Sequence, residues 1–163
     1  MSEPKQTDTT QRWKISMRVS GNSIAIPTKI EFSRRSANGT ALFEAIDPEL
    51  TQNYKLYPIY TNHYDRQTAI QQKILALALR AATQARDVFD LEQLVSPYIN
   101  MAQSNVSNKN ILLAQENAMS INYGDFKSQV VAYLLLEYQL LYTKERWEKL
   151  LEKVVEYLER LKP

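Results

Sequence analysis

The chain has 163 residues, 44% of them hydrophobic and 23% charged, a balance that fits a folded globular protein of about one domain and excludes a disordered chain. Its 20 basic and 18 acidic side chains leave a net charge of +2, too little for global steering of nucleic acid. Cysteine is absent and His63 is the single histidine, which excludes disulfides, thiolate zinc sites, cysteine nucleophiles, multi-histidine metal centres and most Ser-His-Asp schemes.

The first ten residues are polar and lack the apolar stretch of a secretory signal. Residues 1–11 read as a flexible N-terminus. Residues 13–19 alternate apolar and polar side chains, as a half-buried strand does. Gly21-Asn22 reads as a turn. A second strand is expected from Ile24 to Phe32, with Pro27 favouring an edge or a bulge. Asn38-Gly39 marks another turn. Ala41 to Ile46 is ambiguous and Asp47-Pro48 ends it. Tyr54 to Tyr60 predicts a further strand, again an edge because of Pro58.

From about Asp65 the period becomes helical. Ile70, Ile74, Leu77 and Ala81 share one face. Arg86 opens a second helix that ends near Pro97. Residues 103–109 read as a loop, and Ile111 to Met119 as a third helix. Gly124-Asp125 precedes an expected long apolar helix over residues 126–142. The last helix, about Lys144 to Leu161, carries Trp147, Leu150, Leu151, Val154, Val155, Leu158 and Leu161 on one face. Glu145–Lys149 and Glu156–Arg160 have ion-pair spacing. Strands followed by helices make an α+β chain. Its domain plan is a small, incomplete antiparallel sheet over 12–63 and a lobe of about five helices over 64–163. The most apolar run is about 13 residues, short of the roughly 18 needed to span a bilayer. A cytoplasmic protein with no membrane partner is therefore the expectation.

Charge is uneven along the chain. Arg12, Lys14, Arg18, Lys29, Arg34 and Arg35 face one acid, Glu31, between residues 12 and 35. That stretch suits either phosphate contacts or the guarding of an edge strand. In the first long helix Arg66, Lys73 and Arg80 recur every seven residues. Lys73 lies about 60° from Ile70 and about 40° from Leu77 around the helix, so it flanks the apolar stripe. It either snorkels past core residues or points into a site. Asp87 is placed to cap the next helix, with Asp90 in its first turn, and a carboxylate there can also orient a lysine or arginine. Tyr54, Tyr57, Tyr60 and Tyr64 can pack at the core or edge, or stack bases. His63 reads as a loop residue.

Lys29-Ile30-Glu31-Phe32, then a strand, then Ala69-Ile70-Gln71-Gln72-Lys73-Ile74-Leu75-Ala76-Leu77 with Arg80, then Arg86-Asp87-Val88-Phe89-Asp90-Leu91, resembles the AbiEii-type nucleotidyltransferases. These are abortive-infection and type IV toxin–antitoxin toxins with a polymerase-β-like nucleotidyltransferase fold and an appended helical lobe. The resemblance runs over about residues 12–95, and the Arg-Asp-x-aromatic-Asp-Leu segment is its most specific part. It implies transfer of a nucleotide from a nucleoside triphosphate to an acceptor such as a tRNA 3′ end. It assigns Glu31 to the late-strand carboxylate and metal ligand, Lys73 to the lysine on the triphosphate, and Asp87 to the last-motif aspartate. Lys29, Arg80 and Arg86 become the further nucleotide- or phosphate-binding cations. Nucleotidyl transfer uses carboxylate-held divalent metal, Mg2+ in this family, and a cation on the triphosphate.

The family's Gly-Ser turn followed by an Asp-x-Asp-like pair is missing. None of Gly21, Gly39 and Gly124 precedes such a pair. Asp90-Leu91-Glu92 and Asp47-Pro48-Glu49 have acid-x-acid spacing but follow no glycine turn. In the family that motif precedes the region matched here. The resemblance therefore implies the C-terminal portion of such a protein, inactive alone. Its partners would be an N-terminal half or second chain supplying the catalytic hairpin, NTP, tRNA and an antitoxin. The alternative is a non-catalytic RNA- or protein-binding module on the same scaffold.

Overall fold

A computed structural model describes residues 6–8, 10–18, 20–21, 24–33, 39–95 and 105–162. The chain divides into two compact units, residues 1–38 and 39–163.

The first unit is an antiparallel sheet of β1 (Gln6–Thr7), β2 (Thr10–Met17) and β3 (Ile26–Ser33), in that spatial order. Gln6, Thr7, Thr10 and Gln11, from the segment read as a flexible N-terminus, lie in strands. Pro27 sits on β3, an edge strand, where its missing donor is tolerated. Trp13 opposes Ile30, Ile15 opposes Thr28 and Met17 opposes Ile26, which makes one apolar face. Trp13 meets Phe32 edge-to-face at 5.5 Å between ring centres. Arg12 opposite Glu31 and Lys14 opposite Lys29 form the other, charged face.

The second unit opens with a two-stranded antiparallel sheet, β4 (Ala41–Ala45) and β5 (Tyr60–Tyr64). The ambiguous segment after Ala41 is thus a strand. Between the strands lies α1 (Pro48–Asn53), which sequence reading missed. The Asp47 side chain caps it by accepting the Glu49 N–H at 2.8 Å, and Pro48 fits its first turn. The strand expected over 54–60 is corrected to β5. Tyr54 closes α1, Lys55 takes a left-handed φ of 53°, and the chain turns before it can pair. His63 accordingly lies in a strand and not in a loop.

Six further helical segments follow: α2 (Arg66–Leu79), α3 (Ala85–Leu94), α4 (Asn108–Met119), α5 (Tyr123–Gln129), α6 (Leu136–Gln139) and α7 (Lys144–Arg160). A 3-10 turn, Val131–Tyr133, sits between α5 and α6. The described residues thus hold seven α-helices and two small antiparallel sheets, an α+β chain. The Asp65 side chain caps α2, accepting the Thr68 N–H at 2.7 Å. Asn117 on α4 donates to the Leu77 carbonyl at the end of α2 at 2.8 Å, and Arg66 on α2 donates to the Leu94 carbonyl ending α3 at 2.7 Å. Each satisfies a carbonyl that the helix itself leaves open. On α7 the described ion pairs at helical spacing are Lys144–Glu148 and Arg160–Glu156.

The long helix expected over 126–142 is corrected to α5, the 3-10 turn and α6. A capping box between Asn122 and Asp125 starts α5 before Gly124. The run after Gln129 is apolar on every side, so no single stripe fixes a continuous helix. Breaking it buries Val130 and Val131 beside Phe126. The Gln139 amide then bonds the Leu134 carbonyl at 2.8 Å, and the Tyr123 hydroxyl the Tyr142 carbonyl at 2.9 Å.

The core lies among the helices. Ile74, Leu77, Val88, Leu91, Ala114, Phe126 and Leu158 are fully buried. Phe126 stacks on Trp147 at 4.4 Å, and Phe89, Tyr123 and Tyr142 surround it. Among the described residues no helix is long and apolar enough to cross a membrane.

Candidate functional site

Lys73 and Arg80 are two helical turns apart, at the middle and the end of α2. Asp87 and Asp90 are one turn apart on α3. The two helices bring the four side chains together. The Lys73 ammonium donates to Asp87 Oδ1 at 3.3 Å and to Asp90 Oδ2 at 2.5 Å. Arg80 Nη2 lies 3.1 Å from Asp87 Oδ2 and donates to Oδ1 at 3.4 Å. Asp87 is 1% exposed. The other three side chains remain partly open to water.

This answers the question of Lys73: it points into a charged cluster. The expected N-cap role of Asp87 is corrected. The cap is Gln84, whose side chain makes no capping bond, and Asp87 is the third residue inside α3. Its charge still suits the first turn. Asp90 lies in the second turn. The open N–H of Ala85 is met from elsewhere, by Gln129 Oε1 of α5 at 2.8 Å. Asp87 Oδ2 is buried without a hydrogen bond, although Arg80 is at ion-pair distance. That oxygen is held by charge and not by an aligned donor.

Arg86 forms no ion pair with Asp87 or Asp90. It is exposed and makes no ion pair among the described residues. It lines an open groove of about 450 Å³ with Gln84, Asp90, Ser128, Gln129 and Tyr133. Asp90 is the residue sequence reading left out of the site. Its signal was present, one helical turn beyond Asp87 on the same face.

Glu31 and Lys29 belong to the first unit. Glu31 is bonded to Arg12 and lies 3.0 Å from the Lys29 ammonium. The Lys29 hydrogen bond first, and the Arg12 guanidinium second, hold the Glu31 carboxyl below its ordinary value. A carboxylate bridging two cations is already neutralised. No group of three or more His, Asp or Glu side chains gathers to hold a metal among the described residues. The described residues do not by themselves assemble a magnesium site. Arg34 and Arg35 lie outside the described residues; Arg18 is exposed.

Tyr54, Tyr57, Tyr60 and Tyr64 are exposed and form no core. Tyr60 packs on Phe43 across the β4–β5 pair. His63 bonds Glu44 at 3.1 Å on the same pair.

No protein-family model, curated protein or solved structure matches this chain.

Proposed function

We propose that the chain is a nucleotidyltransferase-related protein of the AbiEii toxin type. It acts on a nucleoside triphosphate and an RNA acceptor resembling tRNA, and is inactive alone. The observation supporting this reading is the convergence of Lys73, Arg80 and Asp87 from two helices. They are three of the four residues on these helices that the resemblance assigns to one site; the fourth, Arg86, joins no ion pair with them and lines the groove that Asp90 also lines. Two cations fixed by a buried carboxylate form a preorganised face for a triphosphate. Metal-binding carboxylates would have to come from another segment or chain. The test is titration of the purified chain with ATP, CTP, GTP and UTP. Lys73→Ala is expected to weaken triphosphate binding at least tenfold. Unchanged affinity in that variant, or no binding by the wild type, overturns the reading. Nucleotide transfer to RNA by the chain alone would remove its need for a complement.

A second reading is a protein-binding module. Tyr133, Leu135, Leu136, Leu140 and Leu141 are each more than 60% exposed on neighbouring turns, with Glu137 as the one charge between Lys127 and Lys144. An apolar ridge of this kind marks an interaction surface more often than bare solvent contact. Leu136→Glu with Leu140→Glu would abolish partner or self-association on this reading and leave triphosphate binding intact.

A further inference from the structure

Asp90 occupies an unusual position in the charged cluster. Asp87 is buried and holds Lys73 from the core side, whereas 41% of the Asp90 side chain is open to water. Asp90 lines the groove that Arg86, Ser128 and Tyr133 also line; Lys73 does not line it. Yet Asp90 makes the shorter of the two contacts with the Lys73 ammonium. The carboxylate thus touches a lysine on one side and, on the other, a groove that is also lined by an arginine with no ion pair among the described residues.

We infer that Asp90 is a gate on a polyphosphate site: its carboxylate holds the Lys73 ammonium until an entering polyphosphate displaces it. The inference rests on the reading of Lys73 as a triphosphate contact and adds the residue that competes with the ligand. Three features support it. Asp90 is bound to no other cation among the described residues, so its release breaks one ion pair. Asp87 keeps Lys73 and Arg80 in place when Asp90 leaves. Arg86 offers a second cation at the mouth of the same groove, and phosphate oxygens on neighbouring phosphorus atoms can engage two cations at once. An oxygen of the ligand replaces an oxygen of Asp90 at the ammonium, so the lysine is never left without a counter-charge.

The probe is inorganic tripolyphosphate, titrated calorimetrically into the full chain without metal. Asp90→Asn is expected to bind it at least tenfold more tightly than the wild type, and Lys73→Ala/Asp90→Asn to lose the gain. Glu92→Gln is the control for bulk charge. It removes the same charge two residues away, from a carboxylate engaged by Lys153. An equal gain in Glu92→Gln overturns the gate, as does unchanged affinity in Asp90→Asn or a gain that survives loss of Lys73. Asp90→Ser serves as a second variant should Asp90→Asn lower the melting temperature. Failure of the gate differs from failure of the nucleotidyltransferase reading. If Lys73→Ala weakens nucleotide binding while Asp90→Asn changes nothing, only the gate falls. If Asp90→Asn gains tripolyphosphate but nucleoside triphosphates bind no better than tripolyphosphate, the gate stands and the nucleotide reading falls.

Discussion

Asp87 Oδ1 lies 3.3 Å from Lys73 Nζ, and the carboxylate that accepts is almost wholly buried. Arg80 reaches the same group from the C-terminal end of α2. A buried charge with two partners tolerates the loss of one. Lys73→Met and Arg80→Met should each cost about 1–2 kcal/mol, discounted because both cations are about one-third exposed. Together they leave Asp87 stranded, a loss of roughly 3–5 kcal/mol. Urea unfolding of the two single variants and the double variant should therefore show a double loss exceeding the sum of the singles by about 1 kcal/mol. Strict additivity would mean that Lys73 and Arg80 are not coupled through Asp87.

Phe126 is fully buried, with its ring stacked on Trp147 at 4.4 Å. Phe126→Ala should lower stability by about 3–5 kcal/mol, the transfer term plus the cavity left behind. Trp147 fluorescence should shift to longer wavelength in the same variant, because its stacked neighbour is gone. A loss below about 1 kcal/mol would contradict a shared aromatic core.

Gly39 and Gly21 both take positive φ, 140° and 85°, but their surroundings differ. A Cβ on Gly39 would lie 2.1 Å from Thr68 Cγ2, whereas one on Gly21 would meet no heavy atom within 4 Å. Thr68 cannot simply turn away, because its hydroxyl accepts the Thr40 N–H at 3.1 Å. Gly21→Ala should cost about 1–2 kcal/mol, the steric penalty of a left-handed backbone. Gly39→Ala adds overpacking of about 1–3 kcal/mol and should be the worse of the two in denaturant unfolding.

His63 faces two acceptors, donating from Nδ1 to the Tyr64 carbonyl and, when protonated, from Nε2 to Glu44; the carbonyl first, and Glu44 after it, raise its pKa above the ordinary 6.5. A raised folded value means that protonation favours the folded state. The contribution is fully present below about pH 6.5 and fades as pH rises through the raised value. The melting-temperature gap between the wild type and His63→Gln should be widest below the ordinary histidine range and narrow as the pH rises through the raised value. A gap that widens with pH would contradict this pairing.

Local rules carried the helical half. The stripe Ile70–Ile74–Leu77 and the face from Trp147 to Leu158 are buried where a 3.6-residue period places them, because that period is written in each helix alone. The Asp65 cap also needs only neighbours four residues or fewer away. Helical spacing placed Lys73 at the edge of the apolar stripe, where it could snorkel or enter a site, and only the family resemblance linked it to the Arg86–Leu91 segment. Only the packing of α2 against α3 decided it, by burying Asp87 and drawing in Asp90 from an exposed flank. The same holds for the start of α3. Sequence offered Asp87 as its cap, while the Ala85 N–H is met by Gln129, 44 residues away, through a contact that exists only once α5 has docked. The run from Val130 to Tyr142 divided for a like reason. Its sequence is apolar but for Glu137 and Gln139 and marks no single face, so which of its side chains are buried is decided by packing beside the Phe126–Trp147 stack.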